Sequence, residues 1–93
     1  GLDDKLSPAV LYQNLPNPFN NTTIIKFYIP ESTLVTLSVY DAVGELIEEM
    51  VNVNMDEGEY EFELSAENYR VGTYFYKLTT NETVIMKPMN VIK

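Results

Sequence analysis

Alternation of apolar and polar side chains with a period of two dominates the chain. It is clearest at 59–64, where Tyr60, Phe62 and Leu64 are separated by glutamates. A period of two places successive side chains on opposite faces of a β-strand, so this segment predicts a strand with one buried and one solvated face. The same alternation predicts further strands at 22–29, 34–40 and 72–80.

One segment has a mixed pattern. Between 45 and 53, the apolar residues have helical spacing: Leu46, Ile47, Met50 and Val51. An isolated helix of that length between strands would be marginal, because nucleation is unfavourable and little chain follows to offset it. The prediction for this segment is therefore a strand.

The remaining two strands are predicted at edges. Residues 9–13 form a short apolar run that ends near Pro16, and residues 83–93 are interrupted by Pro88. Proline has no N–H for a central ladder, so it indicates an edge or a bulge. The total is about seven strands with turns every eight to twelve residues, a pattern that predicts an all-β, Ig-like antiparallel β-sandwich.

A rigid polar run precedes the first long strand. Pro16 and Pro18 fix φ and remove two backbone donors, which excludes a helix or a central strand. Asn17 favours a turn closed by its own side chain. Phe19 is a large ring inside this polar run, and we expect it to plug one end of the core.

Two other local signals concern a turn and a domain boundary. Asp41 can accept a hydrogen bond from a backbone N–H two residues on, and Gly44 can adopt positive φ, so 41–44 is predicted to be a turn. Residues 1–8 are small and polar, which predicts a linker, and the domain proper is expected at 9–93.

Composition excludes several kinds of chemistry. The chain has no cysteine and no histidine, which removes thiol nucleophiles and the commonest general base and metal ligand. Asp56 and Glu57 are adjacent acids, but no EF-hand-type loop surrounds them. We therefore expect no metal, no cofactor and no catalytic activity, since no nucleophile–base pair is present.

The charge is strongly acidic and unevenly distributed. The net charge of −8 argues against nucleic-acid binding, which needs clustered lysine and arginine. Ten acidic and no basic residues lie between 41 and 67, whereas 68–93 has four basic residues and one acid. The long acidic stretch is typical of a solvated face, and the basic tail is the unusual half. No apolar run is long enough to span a bilayer, and no signal peptide opens the sequence.

Five elements in a fixed order resemble a known family. They are Gln13–Asn20, Thr22–Pro30, Val39–Asp41 with Gly44, Gly72–Leu78 with Tyr74 within it, and Lys87–Lys93. Together they resemble the type A C-terminal sorting domain of the type IX (Por) secretion system of Bacteroidetes. The resemblance covers about 11–93, nearly the whole chain.

The resemblance implies a non-catalytic secretion signal. Such a domain is fused behind a larger cargo, passes through the periplasm, and is presented to an outer-membrane translocon. A sortase-like peptidase commonly removes it, here in or before 1–8, while the cargo reaches the cell surface or is secreted. The basic tail and the resemblance together indicate that the last strand is the recognised element, through capture of an edge. Its residues are Lys87, Met89, Val91, Ile92 and Lys93.

A second hypothesis is a structural or carbohydrate-binding Ig-like module attached to a secreted enzyme. Exposed tyrosines stack on sugar faces. Tyr28 and Tyr40 are predicted to lie on the outer face of neighbouring strands, with Tyr12 near them. This hypothesis requires those rings to share one surface.

Overall fold

The computed structural model describes residues 8–93. This part of the chain folds into seven strands, which form two antiparallel sheets. They are β1 (Val10–Leu11), β2 (Thr22–Ile29), β3 (Thr33–Tyr40), β4 (Leu46–Met55), β5 (Gly58–Ser65), β6 (Gly72–Thr79) and β7 (Val84–Val91). The all-β prediction is confirmed. Apart from Pro8, the predicted linker lies outside the described residues.

The sheets have three and four strands. Their orders are β1-β2-β5 and β4-β3-β6-β7, so β2 and β3 belong to different sheets although they are consecutive. The chain crosses from one sheet to the other at Pro30, where strand pairing ends. The two sheets pack face to face as a β-sandwich.

The core lies between the sheets and is built by the alternation that the sequence shows. On β2, β3 and β6 every second side chain is buried, and the intervening ones are more accessible, Ser38 excepted. The inward residues are Ile25, Phe27 and Ile29, then Val35, Leu37 and Val39, then Tyr74, Tyr76 and Leu78. Full burial of one such side chain contributes about 1.5–3 kcal/mol.

The strand β4 confirms the strand prediction for the segment of mixed pattern and explains its apparent helical spacing. Its pairing with β3 shifts twice: Leu37 and Ser38 face Val51 and Glu49, and the next shift skips Ile47. Each shift inserts one extra residue into β4, which is a β-bulge. An extra residue reverses the phase of the alternation, so two bulges break the period of two that a regular strand would show.

The turn between β3 and β4 forms as predicted. The Asp41 carboxylate accepts hydrogen bonds from the Val43 N–H at 3.0 Å and the Glu45 N–H at 2.9 Å. Gly44 has φ of 90°, in the left-handed region that residues with a Cβ rarely adopt. This turn delivers the chain from the centre of the four-stranded sheet to its β4 edge.

Candidate functional site

The last strand, β7, lies at one edge of the four-stranded sheet, where β6 is its neighbour in the strand order. Its register with β6 runs without a shift, from Gly72 opposite Val91 to Thr79 opposite Val84. The Thr80 N–H donates to the Thr83 carbonyl at 2.9 Å, so these two residues form a hydrogen-bonded pair. In an antiparallel ladder, hydrogen-bonded and non-hydrogen-bonded pairs alternate, so this one bond identifies the pairing state of every other pair. It follows that every second residue of β7 directs its backbone polar groups away from β6. These residues are Val84, Met86, Pro88 and Asn90.

The backbone of Phe19 covers the end of this edge. Its N–H donates to the Asn90 carbonyl at 3.1 Å, and its carbonyl accepts from the Ile92 N–H at 2.9 Å. Phe19 and Val91 form an isolated parallel bridge. The ring of Phe19 is only 2% exposed and belongs to the core, which confirms the prediction that it plugs one end of the sandwich.

Two side chains of the same run extend this cover towards the middle of β7. The Gln13 Nε2 donates to the Pro88 carbonyl at 2.7 Å. The Asn17 Oδ1 accepts from the Asn90 N–H at 2.9 Å. Residues 13–19, which we call the strap, therefore bind the backbone of β7 from Pro88 onwards. The missing N–H of Pro88 faces this outer side, as expected for an edge proline.

A buried polar network fixes the strap from beneath, and sequence reasoning did not predict it. The Tyr76 hydroxyl donates to the Tyr12 carbonyl at 2.7 Å and accepts from the Asn14 N–H at 2.8 Å. The Asn14 Nδ2 donates to the Thr23 Oγ1 at 2.9 Å, and that hydroxyl donates to the Pro16 carbonyl at 2.8 Å. Asn14, Thr23 and Tyr76 are fully buried, so these bonds satisfy groups that water does not reach.

The sequence contains part of the information needed to predict this network. A tyrosine at an inward position of a strand needs a partner for its hydroxyl when it is buried, and Tyr76 holds such a position. Burial raises the pKa of Tyr76 to about 12, against a smaller lowering by the hydrogen bond from the Asn14 N–H. Nothing in the alternation identifies Asn14, because its run has no period.

The five predicted recognition residues divide into two groups. Met89 and Val91 are buried in the core at 0% and 1% exposure. Lys87 is partly exposed, Ile92 is 46% exposed and Lys93 is exposed. The Lys93 Nζ donates to the Ala66 carbonyl at 3.0 Å, which ties it to the loop after β5.

Gly72 and Tyr74, the remaining predicted motif residues, lie at the start of β6, opposite the end of β7. Gly72 begins the strand opposite Val91. The Tyr74 hydroxyl donates to the Arg70 carbonyl at 2.9 Å, and its ring meets Tyr69 edge-on at 5.0 Å between centroids. Burial, reinforced by the nearby Glu48 carboxylate, raises the pKa of Tyr69 far above its usual range. These rings pack the loop between β5 and β6 against the core.

The predicted tyrosine platform is wrong. Tyr28 lies on β2 and Tyr40 lies on β3, and these strands belong to different sheets. The Tyr12 ring carries the Lys26 ammonium at 5.2 Å, and the Tyr40 ring carries the Lys77 ammonium at 4.8 Å from their centroids. The prediction fails because β2 and β3, although consecutive in the chain, are not neighbours in one sheet.

Neither a metal-binding cluster nor a membrane-spanning helix occurs among the described residues. Within 8–93, no three acidic, histidine or cysteine side chains form a group that could hold a metal ion. The glutamates of β5 are all exposed on its outer face. No helix in the same range is long and apolar enough to cross a membrane.

Comparison with known proteins gives one finding. The family model for the secretion system C-terminal sorting domain matches residues 14–92. That range begins inside the strap and ends just after β7, so it contains both partners of the edge described above. Neither the curated proteins nor the solved structures gave a match. The chain belongs to the family of C-terminal sorting domains, the sorting signals of the type IX secretion system.

Proposed function

We propose that this domain is a non-catalytic signal that the type IX machinery reads at β7 and the residues that follow it. Family membership carries the sorting function and export towards the cell surface or secretion. The position of β7 at a sheet edge supports the location of the signal, because edge strands are where a partner chain can pair. The basic half of the chain ends in this strand.

The five residues of the signal act in two ways. Met89 and Val91 anchor β7 in the core and so hold the strand in one register. Lys87, Ile92 and Lys93 offer accessible side chains to the machinery. A rigid strand that presents accessible side chains loses little conformational entropy on binding.

The partners follow from this role. The domain is fused behind a cargo protein, traverses the periplasm with it, and engages the outer-membrane translocon. A sortase-like peptidase then cuts in or before residues 1–8, while residues 9–93 form the sorting domain. The alternative, a carbohydrate-binding module, loses its motivating surface because Tyr28 and Tyr40 lie on different sheets.

The test is delivery of a reporter fused in front of this chain in a host that carries the pathway. Deletion of 89–93 is a poor test, because it removes two core side chains. The double variant Ile92→Ala/Lys93→Ala changes two exposed residues and removes one hydrogen bond, from the Lys93 Nζ to the Ala66 carbonyl. The control Lys26→Ala/Ile47→Ala removes the same side-chain types elsewhere, and it too removes surface contacts, those of Lys26 with Glu59 and Tyr12. We expect delivery to fall about tenfold or more in the first variant, the equivalent of 1.4 kcal/mol of binding.

Both double variants should keep the thermal midpoint of the parent within a few degrees, since surface changes have small effects. Equal delivery by the two variants would contradict a signal in β7 and the residues after it. Loss of delivery in both would place the recognised surface elsewhere on the domain.

A further inference from the structure

One edge of the three-stranded sheet, that of β5, carries backbone groups without partners. β5 stands last in the strand order β1-β2-β5. The Ala66 N–H donates to the Asn21 carbonyl at 2.7 Å, so these residues form a hydrogen-bonded pair, and the alternation of pairs identifies the rest of the ladder. The N–H and C=O groups of Glu59, Glu61 and Glu63 therefore point away from β2. They have no hydrogen-bond partner within the described part of the chain.

The β5 edge lies on the same side of the sandwich as β4. Two residues, Asp56 and Glu57, connect these strands. The Tyr69 hydroxyl, in the loop after β5, donates to the Glu48 carboxylate of β4 at 2.8 Å. The strap, by contrast, binds β7 on the opposite side. Within the described range β4 and β5 belong to different sheets, so no ladder closes the side of the sandwich between them.

The core is incompletely covered along this side. Val53 lies opposite Val35 in the β3–β4 register and so shares its inward face. Val53 is nevertheless 53% exposed, whereas Val35 is fully buried. Tyr60 and Phe62 hold inward positions of β5 and pack on the Phe27 ring, at 5.6 and 5.9 Å between centroids, but both are only partly buried. A further strand beside β5 would remove these apolar groups from water, which favours its binding.

We propose that β5 takes an extended segment of the secretion machinery, in which basic and apolar side chains alternate, as a fourth strand of its sheet. That the segment belongs to the machinery rests on the proposed function, whereas its chemistry rests on the edge. Three N–H and three C=O groups of the glutamates supply the main-chain hydrogen bonds of strand addition. Side chains opposite each other in a strand pair share a face. The basic residues therefore lie opposite the glutamates, and the apolar residues lie opposite Tyr60 and Phe62.

The charge of this side selects basic residues for the outer positions. The side chains of Glu59, Glu61 and Glu63 are exposed. Ten acidic and no basic residues lie between 41 and 67, the part of the chain that includes β4 and β5. Lys26 of β2 offsets one of these charges, with its Nζ 3.6 Å from the Glu59 Oε1. Opposite charges attract across a strand pair and like charges repel, so a basic strand fits here, whereas two copies of β5 would place glutamates against glutamates.

A peptide probe tests the edge on the unaltered 93-residue chain. The probe is a capped peptide of the length of β5 in which lysine and valine alternate, and its control has the same residues in two blocks. Without peptide, the Glu61 amide should exchange at least about tenfold faster than the Phe62 amide, which points to β2. The alternating peptide should slow exchange at Glu61 by about tenfold or more, and the block peptide should not. Equal protection of the two amides without peptide, or equal effects of the two peptides, would overturn the proposal.

A charge variant tests the edge and leaves the backbone unchanged. Glu63 lies opposite Ile24, so Glu63→Lys places no like charge across the ladder. Glu31→Lys makes the same change at an exposed position in the turn between β2 and β3. Both variants should fold like the parent, because surface substitutions have small effects. We expect Glu63→Lys to reduce binding of the alternating peptide and delivery of the reporter by about threefold or more, and Glu31→Lys to reduce neither.

A backbone variant separates strand addition from attraction between charges. Glu61→Pro deletes an N–H that points away from β2, so the β2–β5 ladder keeps its hydrogen bonds. Glu61→Ala removes the same side chain and keeps the N–H. Glu61→Pro should bind the alternating peptide about tenfold more weakly than Glu61→Ala. Equal binding would show that charge alone holds the peptide, which overturns strand addition. The Glu63→Lys comparison does not depend on whether the proline is tolerated.

Failure of this proposal is distinguishable from failure of the proposed function. If Ile92→Ala/Lys93→Ala loses delivery but Glu63→Lys delivers as well as Glu31→Lys, the signal at β7 stands and the machinery does not bind β5. If light scattering showed a dimer that Glu61→Pro converts to a monomer, the occupant of the edge would be a second copy of this chain, which also overturns the proposal.

Discussion

The four-stranded sheet has two edges, β4 and β7, that are protected in different ways. An exposed edge strand invites pairing with other chains, and natural proteins blunt it. The β4 edge is irregular in itself, with two bulges, and most of its side chains are exposed. The β7 edge is regular in register, and half of it is covered by the strap, a segment from the other end of the chain.

This difference shows which edge can be changed locally and which cannot. Protection of β4 depends on the two bulges in its own backbone. Protection of β7 depends on Phe19 staying in the core and on Tyr76 holding the strap by its backbone. The opening run and the last strand are therefore one structural unit, although more than sixty residues separate Phe19 from Val91.

The largest effect is expected from removing the anchor of the strap. Phe19→Ala should lower the free energy of unfolding by about 3–5 kcal/mol, because it deletes a buried ring and leaves a cavity. Chemical denaturation measures this loss. Hydrogen exchange at the Ile92 amide should accelerate as well, since its acceptor is the Phe19 carbonyl.

A matched control is available for this change. Phe75→Ala removes the same ring from the outer face of β6, where it is only partly buried, and should be clearly less destabilising. Phe19→Leu keeps most of the buried volume and should lose less than about 1.5 kcal/mol. If Phe19→Ala and Phe75→Ala lowered the free energy of unfolding equally, Phe19 would not anchor the strap at the β7 edge.

The next effect concerns the hydroxyl that holds the strap. Tyr76→Phe removes two hydrogen bonds and leaves the buried Asn14 N–H without its acceptor, which costs about 1–3 kcal/mol. The pH dependence should change too. The folded state raises the pKa of Tyr76 from 10.0 to about 12, so its contribution to stability is present below pH 10 and is lost as pH rises towards 12.

Unfolding curves between pH 9 and 12 check both parts of this prediction. The variant should lose stability less steeply above pH 10 than the parent does, although Tyr69 still contributes a loss of the same sign. Tyr28→Phe, in which the changed tyrosine lies on the accessible side of β2, is the control for loss of one hydroxyl and should change the free energy of unfolding at pH 7 by no more than about 0.5 kcal/mol. If the free energy of unfolding of Tyr76→Phe fell with pH as steeply as that of the parent, the Tyr76 hydroxyl would not be held in the core.

The sequence predicted the regular parts of the fold and missed the contacts between distant segments. The strand 22–29, the turn at Asp41 and the burial of Phe19 follow from local period and turn chemistry. Sheet membership does not, because a period of two says which face is buried and not which strand lies beside it. The tyrosine platform failed for that reason. The strap was missed because its hydrogen bonds join residues more than seventy positions apart.

The smallest effect is expected at the β4 edge. Ile47 occupies a bulge and is 45% exposed, so Ile47→Lys should change the free energy of unfolding by no more than about 0.5 kcal/mol. The same substitution at Ile85 of β7, which packs partly against the core, should be distinctly more destabilising. Denaturant midpoints of the two variants measure the contrast. Equal losses would mean that β4 is as tightly packed as β7, and that the two edges of this sheet are not protected by different means.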